Sequence, residues 1–191
     1  MDVQSTDKKQ RILDATLELI AENGLHATPV SQISKRSRVS AGTIYHYFPS
    51  KEAIINHLYL DLKKEMADAA FQGYDIKAPY QERFFLMWQN SLNYQLSKPT
   101  KLSFIEQCSI SPLISEEAKE AGKRYHAPLA GFITEGCESG HLKKMDPRLI
   151  LSLIHGTIIG TAKLQLSGLL DITDEHRVGA AQACWDGLKA E

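Results

Sequence analysis

An all-α fold is what the sequence predicts, and three features carry that reading. Apolar residues recur at helical spacing from end to end, strict alternation persists nowhere, and capping signals divide the chain into segments of helical length. The first helix is expected over 8–23, where Ile12, Thr16, Leu19 and Ile20 form one stripe beside Leu13 and Leu17. Gly24 suits the left-handed residue that follows a helix. Thr28-Pro29 starts a second helix, with the threonine oxygen as cap and the proline where an N–H would have no partner. That helix runs to Ser37. Val39-Ser40 makes a turn, and Ser40 caps a third helix that stops at Phe48, before Pro49. Ser50 caps a fourth over 51–70, with Ile55, Leu58, Leu62, Met66 and Ala69 facing inward.

After a connector at 72–79, helices are expected at 80–97 and 101–109, followed by a break at 109–115. A further helical stretch covers 116–139, which Pro128 is expected to kink or split. Asp146-Pro147 repeats the cap-plus-proline signal ahead of a long apolar helix ending at Gly168. Thr173-Asp-Glu opens the last helix, with acids where the helix dipole favours them.

At 191 residues the chain needs no staple, since a chain of this size buries roughly 70% of its unfolded surface. Cys108, Cys137 and Cys184 are odd in number and far apart. They offer neither a disulfide framework nor a zinc pattern, and no metal or cofactor is expected. The polar start lacks the apolar segment of a secretory signal. The most apolar run, 149–162, is shorter than a bilayer span and interrupted by His155, so it is expected to be a buried helix. These features predict a soluble protein of the cytoplasm.

The net charge of −1 argues against a wholesale polyanion binder, but the distribution is uneven. Between Asn23 and Lys51 there is no acid, while Lys35, Arg36, Arg38 and Lys51 are basic; residues 58–191 carry 15 basic and 17 acidic residues. A local basic patch on a near-neutral chain is the footprint of a small nucleic-acid reader attached to something else. The segment VSAGTIYHYFPSKE, from Val39 to Glu52, lies in that patch. Ile44 and Phe48 fall at i, i+4 and point inward with Val30, Ile33 and Val39, which leaves Thr43 and Tyr47 on one outer stripe and Gly42, Tyr45 and His46 on the next. Hydroxyl and imidazole groups on aromatic bodies, beside a glycine, suit phosphate oxygens and base edges. Ser50-Lys51 then opens a helix whose free N–H groups suit a further phosphate.

These residues resemble the DNA-binding domain of the TetR family of bacterial transcriptional regulators, over GLHATPVSQISKRSRVSAGTIYHYFPSKEAIINHLY. The resemblance implies a helix-turn-helix domain at 1–50 and a larger helical domain for ligand binding and dimerisation at 51–191, linked by the helix from Lys51. It carries DNA contacts to Thr28, Ser40, Ala41, Gly42, Thr43, Tyr45, His46, Tyr47 and Lys51. The family usually has Ala-Gly where Ser37-Arg38 stands here. Arg38 is either an added phosphate contact or a solvated turn residue.

The resemblance further implies a homodimer on a palindromic operator and a small-molecule effector. Ile150, Ile154, Thr157, Thr161 and Leu164 fall at 4-3-4-3 spacing, and Val178, Ala181, Trp185 and Leu188 repeat similar spacing in the last helix. The stripes suit a four-helix dimer interface, with the core of one chain as the competing reading. Tyr59, Lys63, Met66, Met87, Trp88, Ser91, Phe104, Cys108 and Phe132 are the candidate effector contacts, with plain core again the alternative. The expected function is a repressor released from its operator by an apolar or aromatic molecule, through tilting of the helix that carries Lys51 at one end and Tyr59 to Met66 at the other. The rival is a regulator without an effector, controlled by a protein partner. An enzyme is not expected. Cys137 and His141 have no second pair at zinc spacing, His155 reads as a core or pocket histidine, and phosphate-loop and nucleophile-elbow signatures are absent.

Overall fold

The computed structural model of the protein describes residues 3–109 and 111–191, and the side chains of all of these except 3–6 and 109. Among them nine helices follow in order: α1 (Val3–Asn23), α2 (Val30–Ser37), α3 (Ala41–Tyr47), α4 (Lys51–Ala70), α5 (Tyr80–Ser97), α6 (Pro99–Ser109), α7 (Glu116–Glu138), α8 (Pro147–Leu166) and α9 (Asp174–Leu188). The expected all-α class holds. Ile110, within the expected break at 109–115, lies outside the described residues. The chain forms two compact units, one of Met1–Lys63 with Thr100–Gly122 and the other of Lys64–Pro99 with Lys123–Glu191.

The first unit is built on α1, α2 and α3. Gly24 takes φ +85° and donates its N–H to the Ile20 carbonyl at 2.8 Å, ending α1 as its sequence predicts. Ile12, Ile20, Ile33, Ile44 and Phe48 are buried in the core they share. Ser40 caps α3 by accepting from the Thr43 N–H, and Ser50 accepts from the Ala53 N–H at the start of α4. The cap expected at Thr28 is not formed. Pro29 occupies the N-cap position of α2 without a side-chain bond, while the buried Thr28 hydroxyl donates to the Gly24 carbonyl at 2.9 Å. That carbonyl has lost its intrahelical partner at the end of α1, so it competes for the hydroxyl. Later segments add to the unit. Gln107 of α6 accepts from the Leu25 N–H and donates to the Ile20 carbonyl, and Asn56 of α4 bonds the Leu113 carbonyl and the Ser115 N–H.

The second unit packs α5 against α8 and α9. Phe84, Trp88 and Leu92 of α5 are buried, as are Ile150, Ile154, Ile158 and Ala162 of α8. Asp146 and Thr173 cap α8 and α9, Thr173 in a capping box with His176, as the sequence predicts. α7 runs through Pro128 as one helix and is not split; a proline removes one N–H without forcing a break. Arg83 is the unit's buried cation. It pairs with Glu135, donates an N–H to the Tyr74 hydroxyl at 2.7 Å, and lies over the Tyr74, Tyr80 and Phe132 rings.

α8 corrects two expectations. It is a 20-residue helix long and apolar enough to cross a membrane by length and composition, and only 22% of its apolar 18-residue window is buried. His155 is exposed rather than in the core. The inward stripe is Ile150, Ile154, Ile158 and Ala162, each four residues on from the last, so that it winds by about 40° per step around the helix where α8 packs on α5 and α9.

Candidate nucleic-acid interface

The turn between α2 and α3 is held from behind. Arg11 of α1 donates to the Ser37 carbonyl at 2.5 Å and to the Arg38 carbonyl at 3.3 Å. Ser34 donates its hydroxyl to the Val39 carbonyl at 2.7 Å. Arg38 itself sits at φ 55°, ψ 35° as the left-handed residue closing α2. That explains why a glycine is the usual occupant of such a position, and why the departure Ser37-Arg38 has a backbone consequence. The Arg38 side chain is exposed.

α3 then presents its outer face. Ile44 is buried, while Ser40, Ala41, Gly42, Tyr45 and His46 are exposed and Thr43 and Tyr47 half-buried. Tyr45 is 53% exposed, a large value for an aromatic ring without a functional reason. The Ser40 and Thr43 hydroxyls lie 2.9 Å apart, and the His46 and Tyr47 rings meet edge-on at 5.7 Å. A side chain at Gly42 would meet open space within 4 Å, so the glycine leaves room for an approaching partner rather than for its own fold. The short α3 is thus pinned by Ile44 and Phe48 from beneath and carries donors on top. Lys51 donates to the Leu25 carbonyl at 3.0 Å, which fixes its ammonium near the start of α4.

Two of the expected features change. Thr28 is buried with its hydroxyl engaged, so it stands behind the surface and not on it. Arg36 contributes little free charge, because Glu22 and then Glu18 of α1 bind its guanidinium, at 2.8 and 3.2 Å, and raise its pKa through those hydrogen bonds. Arg11 was not singled out in the sequence. Its partners are carbonyls 26 and 27 residues away, and no local signal announces them.

The candidate effector residues fall into both units. In the first, Tyr59, Lys63 and Cys108 gather: the Lys63 Nζ stands 5.5 Å from the Tyr59 ring centroid, and Cys108 and Phe104 are buried one turn apart on α6. In the second, Trp88 donates its indole N–H to the Thr157 hydroxyl at 3.1 Å, Met87 is buried, and Met66 and Ser91 are half-buried. Phe132 is buried and stacks on Tyr80 at 4.2 Å within the Arg83 cluster.

The expected dimer stripe is largely interior. Ile150, Ile154, Ala181, Trp185 and Leu188 are buried in their own unit, and Thr157 and Thr161 are half-buried. Leu164 and Val178 are exposed, at 41% and 58%. The exposed apolar stripe of α8 is instead Leu149, Leu153, Gly156, Gly160 and Leu164. Gly156 and Gly160 have nothing within 4 Å of an added side chain.

A helix-turn-helix held rigid from behind and offering an exposed polar helix defines a DNA-binding protein. Residues 12–58 match the family model for bacterial regulatory proteins of the tetR family, and residues 79–189 match that for the tetracyclin repressor-like C-terminal domain. The fatty acid metabolism regulator protein of Bacillus subtilis is 33% identical over 159 residues, 81% of each chain. A TetR family transcription regulator from Marinobacter aquaeolei superposes with a TM-score of 0.93 at 24% identity, covering 100% of both chains. The fatty acid degradation regulator FadR from Bacillus halodurans gives 0.77 at 25% identity, over 96% of this chain and 97% of its own. The chain belongs to the TetR family of DNA-binding transcriptional regulators, and its relatives are regulators rather than enzymes.

Proposed function

We propose that this regulator is a homodimeric, cytoplasmic repressor that leaves a palindromic operator when a small, largely apolar molecule binds its helical domain. Arg38, Ser40, Ala41, Gly42, Thr43, Tyr45, His46, Tyr47 and Lys51 form the DNA-facing set, with Thr28 supporting them from the interior. The similarity to a regulator of fatty acid metabolism supports genes of that metabolism as its targets.

The observation that carries the dimer is the outer face of α8. Leu149 at 50%, Leu153 at 44% and Leu164 at 41% exposure line one stripe with two open glycines, and Val178 of α9 is exposed at 58%. A contiguous apolar face of this kind is a liability on a monomer, and glycines permit close helix approach. Two such faces related by a two-fold axis bury each other. A dimer also gives the reader the paired half-sites, about 34–36 Å apart, from which useful operator affinity comes. α4 is one 20-residue helix carrying both Lys51 and the Tyr59 to Met66 stretch, so it is the natural lever between effector and reader. The effector shifts DNA affinity only by its differential affinity for the two states.

The test is sedimentation of the purified protein beside Leu153→Glu. The wild type sediments as a dimer and the variant as a folded monomer with weakened operator binding. A wild-type monomer, or a variant that remains dimeric, rejects this interface.

A further inference from the structure

Lys63 is half-buried in the first unit, and among the described residues its ammonium makes no hydrogen bond and no ion pair. Its neighbour Lys64 shows the ordinary arrangement, exposed and bound to Asp68 at 2.6 Å. A lysine withdrawn from water is normally matched by a carboxylate or reaches back to solvent. The groups around Lys63 are the Tyr59 ring, 5.5 Å from Nζ, and the buried Cys108 thiol. Neither is an anion at neutral pH: burial pushes the Cys108 thiol up to about 12 and raises the Tyr59 phenol as well. Desolvation correspondingly lowers the Lys63 pKa, which is the signature of a cation lacking its counter-charge.

The surroundings are otherwise prepared. Gly122 of α7 faces Tyr59, where a Cβ would stand 3.2 Å from the ring and 3.5 Å from its hydroxyl, so the glycine gives the phenol its place. Lys119, the other nearby cation, is already bound to Glu116 at 2.6 Å. Leu62, Phe104 and Cys108 are all buried in the same unit, so the surroundings of the ammonium are apolar. One compact cation with one phenolic donor matches a monoanion; a phosphate dianion asks for more donors.

We propose that Lys63, together with the Tyr59 hydroxyl, receives the acid group of the effector, and that the effector is an apolar carboxylic acid. This rests on the reading of the chain as an effector-released repressor. The test measures direct binding by calorimetry for octanoate, dodecanoate and hexadecanoate, each beside its methyl ester, with dodecanoyl-CoA as a further arm. Operator binding is followed separately by fluorescence anisotropy. One or more of the acids binds at least roughly ten-fold tighter than its ester, the worth of a charge-assisted bond. Lys63→Met, with wild-type circular dichroism and operator affinity, loses that preference, and Lys63→Arg keeps most of it. Were Lys63→Met to misfold, the acid–ester comparison on wild type and the Lys63→Arg variant still decide. The proposal is overturned by equal binding of acid and ester, by Lys63→Met binding acid as well as wild type, by binding of the CoA thioester alone, or by no acid binding to a protein that holds its operator. In each of those cases the regulator reading stands. A Lys63-dependent acid preference in a protein that binds no operator sinks that reading and leaves the site.

Discussion

The left-handed backbone at Arg38 makes Arg38→Gly a perturbation with two separable effects. At φ 55°, ψ 35° the arginine Cβ crowds its carbonyl, which costs about 1–2 kcal/mol for a residue other than glycine. Glycine gives back about 0.4–1 kcal/mol through the greater freedom of its unfolded chain. The net is a stabilisation of about 1 kcal/mol or less, and each kcal/mol raises Tm by about 2–4 °C in a chain of this size. The bonds from Arg11 reach the Ser37 and Arg38 carbonyls, so the substitution leaves them in place. The same change removes an exposed guanidinium beside α3. Losing one phosphate contact in each protomer of the dimer makes the slope of log K against log salt shallower by about 1.8. Calorimetry reads the first effect and anisotropy titrations at several salt concentrations the second. The expected variant melts higher and binds its operator more weakly, with the shallower slope. A lower Tm refutes the strain argument, and an unchanged slope refutes a phosphate contact at Arg38.

Three further outcomes follow from the packing and the titrating groups. Gly136→Ala drives a Cβ into the Tyr80 hydroxyl, which donates to the Phe132 carbonyl at 2.9 Å, and should cost about 1–3 kcal/mol in chemical denaturation; an unaltered midpoint contradicts the packing. Cys137 is half-buried while Cys108 and Cys184 are buried with raised thiol pKa values, so a thiol reagent at neutral pH modifies Cys137 first and the others only on unfolding. The Asp146 carboxyl, held down by the Arg148 side chain and then by the Arg148 N–H, titrates at about 2. Its folded pKa lies below its unfolded value, so the capping contribution is complete above about 4 and is lost as pH falls toward 2. Arg148→Ala moves the Asp146 midpoint upward in an NMR titration, and an unchanged midpoint removes Arg148 as the cause.

Local signals read well because they are local. Gly24 after α1, Ser40 before α3, and Asp146-Pro147 before α8 each depend on groups within four residues, and each forms as its sequence implies. Thr28 shows the limit: its hydroxyl had two possible acceptor or donor roles within reach, and the orphaned Gly24 carbonyl took it. α8 shows another. Both of its long faces are apolar, so periodicity finds the helix but leaves open which stripe is core; packing against α5 and α9 decides for Ile150, Ile154, Ile158 and Ala162. The Arg83 cluster was silent in the sequence, because Glu135 lies 52 positions away. The outer face of α3 was legible because polar-tipped rings there serve no fold.

The most direct test of the central claim is an anisotropy titration, at fixed salt, against the DNA flanking the protein's own gene and a scrambled duplex of equal length. Wild type binds the native fragment far more tightly than the scrambled one, and Tyr45→Ala, which removes an exposed ring, erodes that preference without unfolding the protein. Equal, weak binding to both duplexes that Tyr45→Ala leaves unchanged contradicts the assignment of α3 as the reading helix.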